Sequence, residues 1–236
     1  MLPELFVRHH GFMAPLAEIA GLLADHTRAA FCHALLDGRA WTAGELARHA
    51  GVRPSTASQQ LSRLIAGGLL TAERQGRHRY IRLAGPEQAA LIETLASYAG
   101  ETTPPQNLRE SVRFEAEARA RTCYDHLAGQ LGVALADAMI ARGLVATDSG
   151  LAVTPEGRAW LTDALGYQHP RSSRRPLVRS CLDRTERRPH LAGALGATLC
   201  ATALERQWVR RVGSGRALRV TPQGAQAFWT LLRVEV

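Results

Sequence analysis

The chain of 236 residues contains no lysine at all. Its 29 basic residues are all arginine, against 21 acidic ones, giving a formal charge of +8 and a pI near 10.3. A basic balance attracts polyanions, but arginine usage also follows the base composition of a gene, so where the arginines sit matters more than the total. Aromatic residues are scarce, at 6%, and the prevalence of alanine, leucine and arginine favours helix over strand. No stretch approaches the roughly 18 consecutive apolar residues of a membrane helix, and no basic segment followed by an apolar run opens the chain. The expected location is therefore the cytoplasm, with no membrane partner. The four cysteines, Cys32, Cys123, Cys181 and Cys200, form no CxxC. In a reducing compartment they point to metal or redox chemistry, or to none, rather than to disulfides. GxSxG, the P-loop, HExxH and GxGxxG are all missing, and the expectation is that the chain is not an enzyme.

What is present reads as mainly α with small β-hairpins. Residues 13–23 and 25–37 carry helical apolar stripes: Leu16, Ile19, Leu22 and Leu23, then Ala30, Phe31, Ala34 and Leu35. Gly38 ends the second helix. Thr42 and Glu45 have the spacing of a capping box for a short third helix, closed by Gly51. Pro54 opens a fourth at a tolerated first-turn position. Its Ala57, Leu61, Leu64 and Ile65 share one face, and Gly67-Gly68 stops it. "LLTAERQGRHRYIRL" (69–83) reads as two strands about a turn at Gln75-Gly76. "PEQAALIETLASYA" (86–99) is a further helix, and "GETTPPQN" (100–107) has the composition of a linker.

Helix, short helix, turn, helix, hairpin is the order of a winged helix-turn-helix. The polar face of the fourth helix offers Ser55, Thr56, Ser58, Gln59, Gln60 and Arg63. A major groove admits a helix, and these side chains can bond base edges or phosphates. The hairpin tip gathers Arg74, Arg77, His78 and Arg79, suited to a phosphate backbone. Between residues 46 and 72 there is no acidic residue, whereas a merely solvated surface mixes both signs. The expected partner is double-stranded DNA. The rival reading is a winged-helix protein-interaction module, for which the wing arginines would be dispensable.

Residues 20 to 95 resemble the ArsR-type winged-helix repressors. The resemblance is carried by Leu23-Ala24-Asp25-x-Thr27-Arg28, by Thr56-Ala57-Ser58-Gln59-Gln60-Leu61, by Gly68-Leu69-Leu70, and by the R-x-G-R-x-R-Y wing from Arg74 to Tyr80. It implies a homodimer formed by the first and last helices of this domain, an inverted-repeat operator, and repression relieved by a signal. Gln60 stands where the family has histidine, a change that implies readout of adenine. The Cys-x-Cys that soft-metal sensors of the family carry before the turn is missing from "GELARHAG", and 86–99 lacks the family's Asp/His pairs.

The second half carries an internal repeat. "HLAGQLGVALADAMIARGLV" from His126 is echoed by "HLAGALGATLCATALERQWV" from His190, 64 positions later, and "VTPEGRAWL" (153–161) by "VTPQGAQAFW" (220–229). A long helical pattern, roughly 108–143, opens the region. Each copy reads as a helix pair, a strand, a turn (148–150; 213–215), a return strand and a final helix, which is a divergent winged-helix-like unit. The expected organisation is a winged domain over 1–99, a linker over 100–107, and repeats over 108–166 and 167–236 that form a regulatory region. Cys123-x-x-His126 would place a thiolate and an imidazole on one helical face. With Cys181 and His190 from the second copy they would make a four-ligand site for zinc or a related metal. Asp125 and Asp183 each follow a cysteine by two positions. A cysteine redox switch, a small organic ligand between the repeats, and a purely structural role are the other readings of this region. Cys32 and Cys200 lie in apolar runs and read as core. Operator, effector, and repression against activation stay open.

Overall fold

The computed structural model describes residues 16–76, 78–99, 107–148, 150–168, 175–213 and 215–236. The chain divides into two compact units, one to Ile92 and one from Glu93.

In the first unit, residues 16–23 form α1, followed by α2 (His26–Ala34), a 3-10 turn (Leu35–Asp37), β1 (Trp41–Thr42), α3 (Ala43–His49), α4 (Pro54–Ala66), β2 (Leu70–Gln75) and β3 (His78–Leu83). α5 (Pro86–Ala99) follows. Local chemistry sets most boundaries. Asp25 caps α2 by accepting from the Arg28 amide. Thr42 and Glu45 form a reciprocal capping box on α3. Gly38 ends the 3-10 turn in the left-handed region. The buried face of α4, Ala57, Leu61 and Leu64, packs against α2, α3 and β2, whose buried side chains include Phe31, Leu46 and Leu70. Sheet order is β1-β3-β2, antiparallel throughout. The helices α2, α3 and α4 followed by the β2–β3 hairpin make this a winged helix-turn-helix.

The second unit departs from the long helix that the sequence suggests over 108–143. α6 (Leu108–Arg119) stops, a hairpin intervenes, and α7 (Gly129–Ala141) begins. The hairpin is β4 (Arg121–Cys123) with β5 (His126–Ala128). Its two-residue turn puts Tyr124 at φ 57, a conformation that no helix contains. β6 (Val145–Ala146), β7 (Ala152–Val153) and α8 (Pro155–Leu165) complete the first copy. The second copy is β8 (Arg179–Leu182), β9 (Pro189–Ala192), α9 (Gly193–Glu205), β10 (Val209–Arg211), β11 (Leu218–Val220) and α10 (Pro222–Leu232). Each copy is thus hairpin, helix, hairpin, helix. The expected helix pair is replaced by a hairpin and one helix, because the strands around each cysteine pair instead of coiling. Thr154 and Thr221 cap α8 and α10 identically, each followed by proline.

The copies interlock. β5 packs on α9, β9 packs on α7, and β5 and β9 meet. The interior between them is filled by Leu131, Leu135, Met139, Leu195, Leu199 and Phe228, among others. A close approach explains the second glycine of each "HLAGxLG". A Cβ on Gly132 would lie 2.5 Å from Leu127 O and 3.6 Å from His190 Cβ, and one on Gly196 would lie 2.2 Å from Leu191 O and 3.0 Å from His126 Cβ. Each glycine is required first by the strand carbonyl of its own copy, and Gly196 also leaves room for His126 of the other copy.

Candidate nucleic-acid interface and a buried cysteine-histidine cluster

Along α4 the side chains of Ser55, Ser58, Gln59 and Arg63 are exposed, with Thr56 half-buried. Gln60 is different. Its Oε1 accepts from Arg28 Nη1 at 2.6 Å, and Arg28 also donates to the carbonyls of Gly21 and Leu22. The buried Arg28 thereby ties the end of α1 to α4. Beside the expected adenine-reading role, Gln60 thus has a structural one, since its acceptor oxygen serves Arg28 inside the domain.

In the wing, Arg74 and Arg79 are direct cross-strand partners, as are Gln75 and His78. Both arginines are exposed. Like charges placed directly opposite one another disfavour a hairpin, and an adjacent polyanion would reverse the sign. His78 lies against Tyr80, ring centroids 6.2 Å apart. Arg82 is neutralised by Glu73 across the strands. Arg77, expected at the tip, lies outside the described residues, as do residues 100–106 of the linker, residues 1–15, and the turn residues Ser149 and Ser214.

The second unit brings Cys123, His126, Cys181 and His190 together. All four are buried, and their ligand atoms lie within 4.8 Å of one another. Cys123 and His126 do not share a helical face. They are opposite each other across the β4–β5 hairpin, and Cys181 and His190 are opposite each other across β8–β9. The unequal spacings, three and nine positions, reflect hairpin loops of different length around the same cross-strand pair. Between the copies, His126 Nε2 stands 3.1 Å from His190 Nε2.

Each Nδ1 faces a carboxylate. His126 Nδ1 lies 3.4 Å from Asp125 Oδ1, and Arg175 grips that carboxylate through two contacts of 2.7 and 3.0 Å. His190 Nδ1 lies 3.1 Å from Asp183 Oδ2, as an ion-pair contact rather than a hydrogen bond. Asp183 is itself fully buried and accepts from Arg121 Nη2 at 2.8 Å, from the Gly129 amide at 2.7 Å, and from Thr185 and Glu186. Glu93, also buried, accepts from Cys181 Sγ at 3.6 Å and lies 3.4 Å from Arg179, while its Oε1 has no partner.

These contacts shift the ionisations. Burial opposes charge on Asp183, but His190 and Arg121 outweigh it and hold the carboxyl well below its usual range. Burial lowers His126, yet contacts with Asp125, Cys123 and Cys181 carry it well above its usual value, and His190 moves up for like reasons. The hydrogen bond with Cys123 leads in bringing the Cys181 thiol down to about 7. Burial pushes Glu93 up to about 8, with Cys123 adding to it. Cys32 and Cys200 go the other way, to about 12 and about 11, because burial dominates. They are core thiols.

Sequence reasoning missed Arg121, Arg175 and Glu93. The signal for the first was available as a repeated R-x-C-x-D, Arg121-Thr122-Cys123-Tyr124-Asp125 and Arg179-Ser180-Cys181-Leu182-Asp183. No local pattern marks Arg175 or Glu93.

Residues 23–73 match the family described as a helix-turn-helix domain. Over 223 residues, 94% of this chain and 98% of the other, the sequence is 40% identical to the uncharacterized HTH-type transcriptional regulator YdfF of Bacillus subtilis strain 168. Among solved structures, similarity extends to the homodimeric winged helix-turn-helix DNA-binding domain Mb0332 of Mycobacterium bovis, a possible ArsR-family regulator. That match has 27% identity and a TM-score of 0.38, covering 45% of this chain and 97% of that one. The cadmium metal-sensor CMTR of Mycobacterium tuberculosis is 34% identical with a TM-score of 0.32, covering 39% of this chain and 94% of that one.

Proposed function

The chain belongs to the helix-turn-helix-type transcriptional regulators, and from that premise we propose that it is a homodimeric, sequence-specific DNA-binding repressor whose C-terminal repeats are its regulatory region. One observation carries the DNA reading. The exposed face of α4 bears Ser55, Ser58, Gln59 and Arg63 with no acidic residue between 46 and 72, and it is followed at once by a wing whose Arg74 and Arg79 oppose each other. Such a pair is destabilising in isolation and favourable on a phosphate backbone. In this reading α4 enters the major groove and the wing follows the phosphates. Gln59 and Ser58 contact base edges and Arg63 a phosphate. Gln60 holds α4 in place through Arg28.

Dimerisation is supported by apolar side chains left exposed on the first and last helices of the winged region: Leu16 and Ile19 on α1, and Leu95 and Tyr98 in the last turns of α5. A second copy covering them would set the spacing of the two recognition helices, and hence an inverted repeat with half-sites one helical turn apart. A regulatory signal acts by favouring one dimer geometry over another.

The reading is tested by fluorescence polarisation of the full chain on DNA from upstream of its own gene, at two salt concentrations, beside a scrambled duplex. Preference for the native duplex, with affinity falling steeply with salt, is expected. Equal binding to both duplexes removes sequence specificity. No binding by the wild type, together with retained association with a protein partner after Arg74→Ala and Arg79→Ala, favours the protein-interaction module.

A further inference from the structure

We propose that Cys123, His126, Cys181 and His190 bind one divalent, thiophilic cation of the zinc class in a closed tetrahedral site that fastens the two C-terminal repeats to each other. This inference stands independently of DNA binding.

The donor set comes first. Two sulfurs and two imidazole nitrogens are the ligands of four-coordinate zinc; they also accept cadmium, and cobalt(II) more weakly than zinc, whereas calcium and magnesium require oxygen. Zinc–nitrogen bonds of about 2.0–2.1 Å and zinc–sulfur bonds of about 2.3 Å imply tetrahedral edges of roughly 3.3 to 3.8 Å. The four atoms lie within 4.8 Å of one another, with the two nitrogens at 3.1 Å. Small side-chain shifts close the set.

The second observation is the orientation of the histidines. Each Nδ1 lies beside a carboxylate, whose negative charge favours a proton on that nitrogen. The two Nε2 lone pairs then point at each other across 3.1 Å in a buried space. That arrangement calls for either a shared proton or a metal ion between them. A proton would satisfy the two nitrogens alone, whereas a metal also takes the two sulfurs beside them.

The surroundings complete the assignment. Asp125 held by Arg175, and Asp183 held by Arg121, form two carboxylate–histidine relays of the kind that orient metal-binding imidazoles. Each of these carboxylates is already balanced by its own arginine. Two thiolates and two neutral imidazoles leave a charge of −2, which a divalent ion cancels and a monovalent ion does not. Each copy supplies one cysteine and one histidine from a hairpin, so neither copy alone holds four ligands. Gly196 leaves the room that the first copy's His126 needs beside the second copy's helix.

The experiment uses the reduced, full-length protein, stripped with a chelator and titrated anaerobically with cobalt(II) chloride. The expected result is saturation at one cobalt per chain, with intense tetrahedral ligand-field bands, thiolate-to-cobalt charge transfer, and bleaching on addition of zinc. Zinc should also shield two of the four thiols from a thiol reagent. Cys123→Ser should lose about half of the charge-transfer intensity, while Cys32→Ser keeps all of it. Asp125→Asn, which leaves the four ligands in place, should weaken zinc binding about 10- to 100-fold. Absence of charge transfer in the wild type, weak octahedral bands, or shielding unchanged in Cys123→Ser would each overturn the assignment. So would oxidation of Cys123 and Cys181 to a disulfide in protein that takes up no metal. The wild-type titration needs no variant to fold and decides alone.

Discussion

Asp183→Asn replaces one oxygen of a side chain that accepts five hydrogen bonds, and its effect follows from those contacts. Asp183 and Arg121 are 0% and 1% exposed, with their charged atoms 2.8 Å apart. Removing one partner of a buried pair leaves the other uncompensated, at a cost of about 3–5 kcal/mol. The amide makes matters worse in either orientation. Oδ1 accepts from Arg121, Thr185 and Glu186, and Oδ2 accepts from the Gly129 amide. Wherever the new NH2 group sits, it meets a donor. A protein of this size has a urea slope of roughly 1–3 kcal/mol per M, so the midpoint of the second unit should fall by on the order of 2 M. The assay is urea unfolding followed by tryptophan fluorescence, because Trp160, Trp208 and Trp229 all lie in that unit and Trp208 is buried edge-on to Phe228. Chelator is kept present so that metal binding does not contribute. The paired change Arg121→Met with Asp183→Leu should recover most of the loss, since it removes both charges together. A midpoint shift below about 0.5 M for Asp183→Asn, or a double variant no better than the single one, would refute the reasoning.

In DNA binding, Arg74→Ala and Arg79→Ala should each weaken affinity on all sequences alike and each reduce the salt slope by about 1, measured by polarisation across a salt series; an unchanged slope would remove the wing from the phosphates. Gln59→Ala should relax base preference at one operator position by about 1–3 kcal/mol with folding intact. Gln60→Ala should lower the thermal midpoint of the winged unit by releasing Arg28. Thr42→Ala should destabilise that unit by about 1 kcal/mol. The Thr42 backbone and side-chain hydrogen bonds hold Glu45 below its usual value, so its contribution is present above the unfolded carboxyl range, near 4.3, and is lost as pH falls. The stability gap between wild type and Thr42→Ala should therefore be widest near neutrality and narrow in acid, as followed by thermal melts.

Much of the winged unit was legible in the chain because its elements are set by neighbours. The Thr42–Glu45 box, Pro54 at the start of α4, the glycines after it and the alternation around Gln75-Gly76 are all interactions over a few residues. The repeat in the second half was legible for the same reason, since Thr154-Pro155 and Thr221-Pro222 start helices wherever they occur. The bond from Arg28 to Gln60 was not legible, because the neighbours of Gln60 in the sequence mark a recognition helix while Arg28 lies 32 positions away.

The sequence by itself determined the helix-turn-helix order, the acid-free face of α4, the duplication, and the identity of the four cysteine and histidine residues worth comparing. Only the tertiary structure decided how those four are used. Cys-x-x-His fits one face of a helix as well as it fits the two ends of a tight hairpin, because both geometries bring residues three apart together. Pairing of β4 with β5 and burial against the other copy's helix select the hairpin. The same pairing in the second copy makes nine residues equivalent to three. Which carboxylate faces which histidine, and which arginine holds each carboxylate, depends on how the two copies pack, and that is a property of contacts between residues 50 to 64 positions apart.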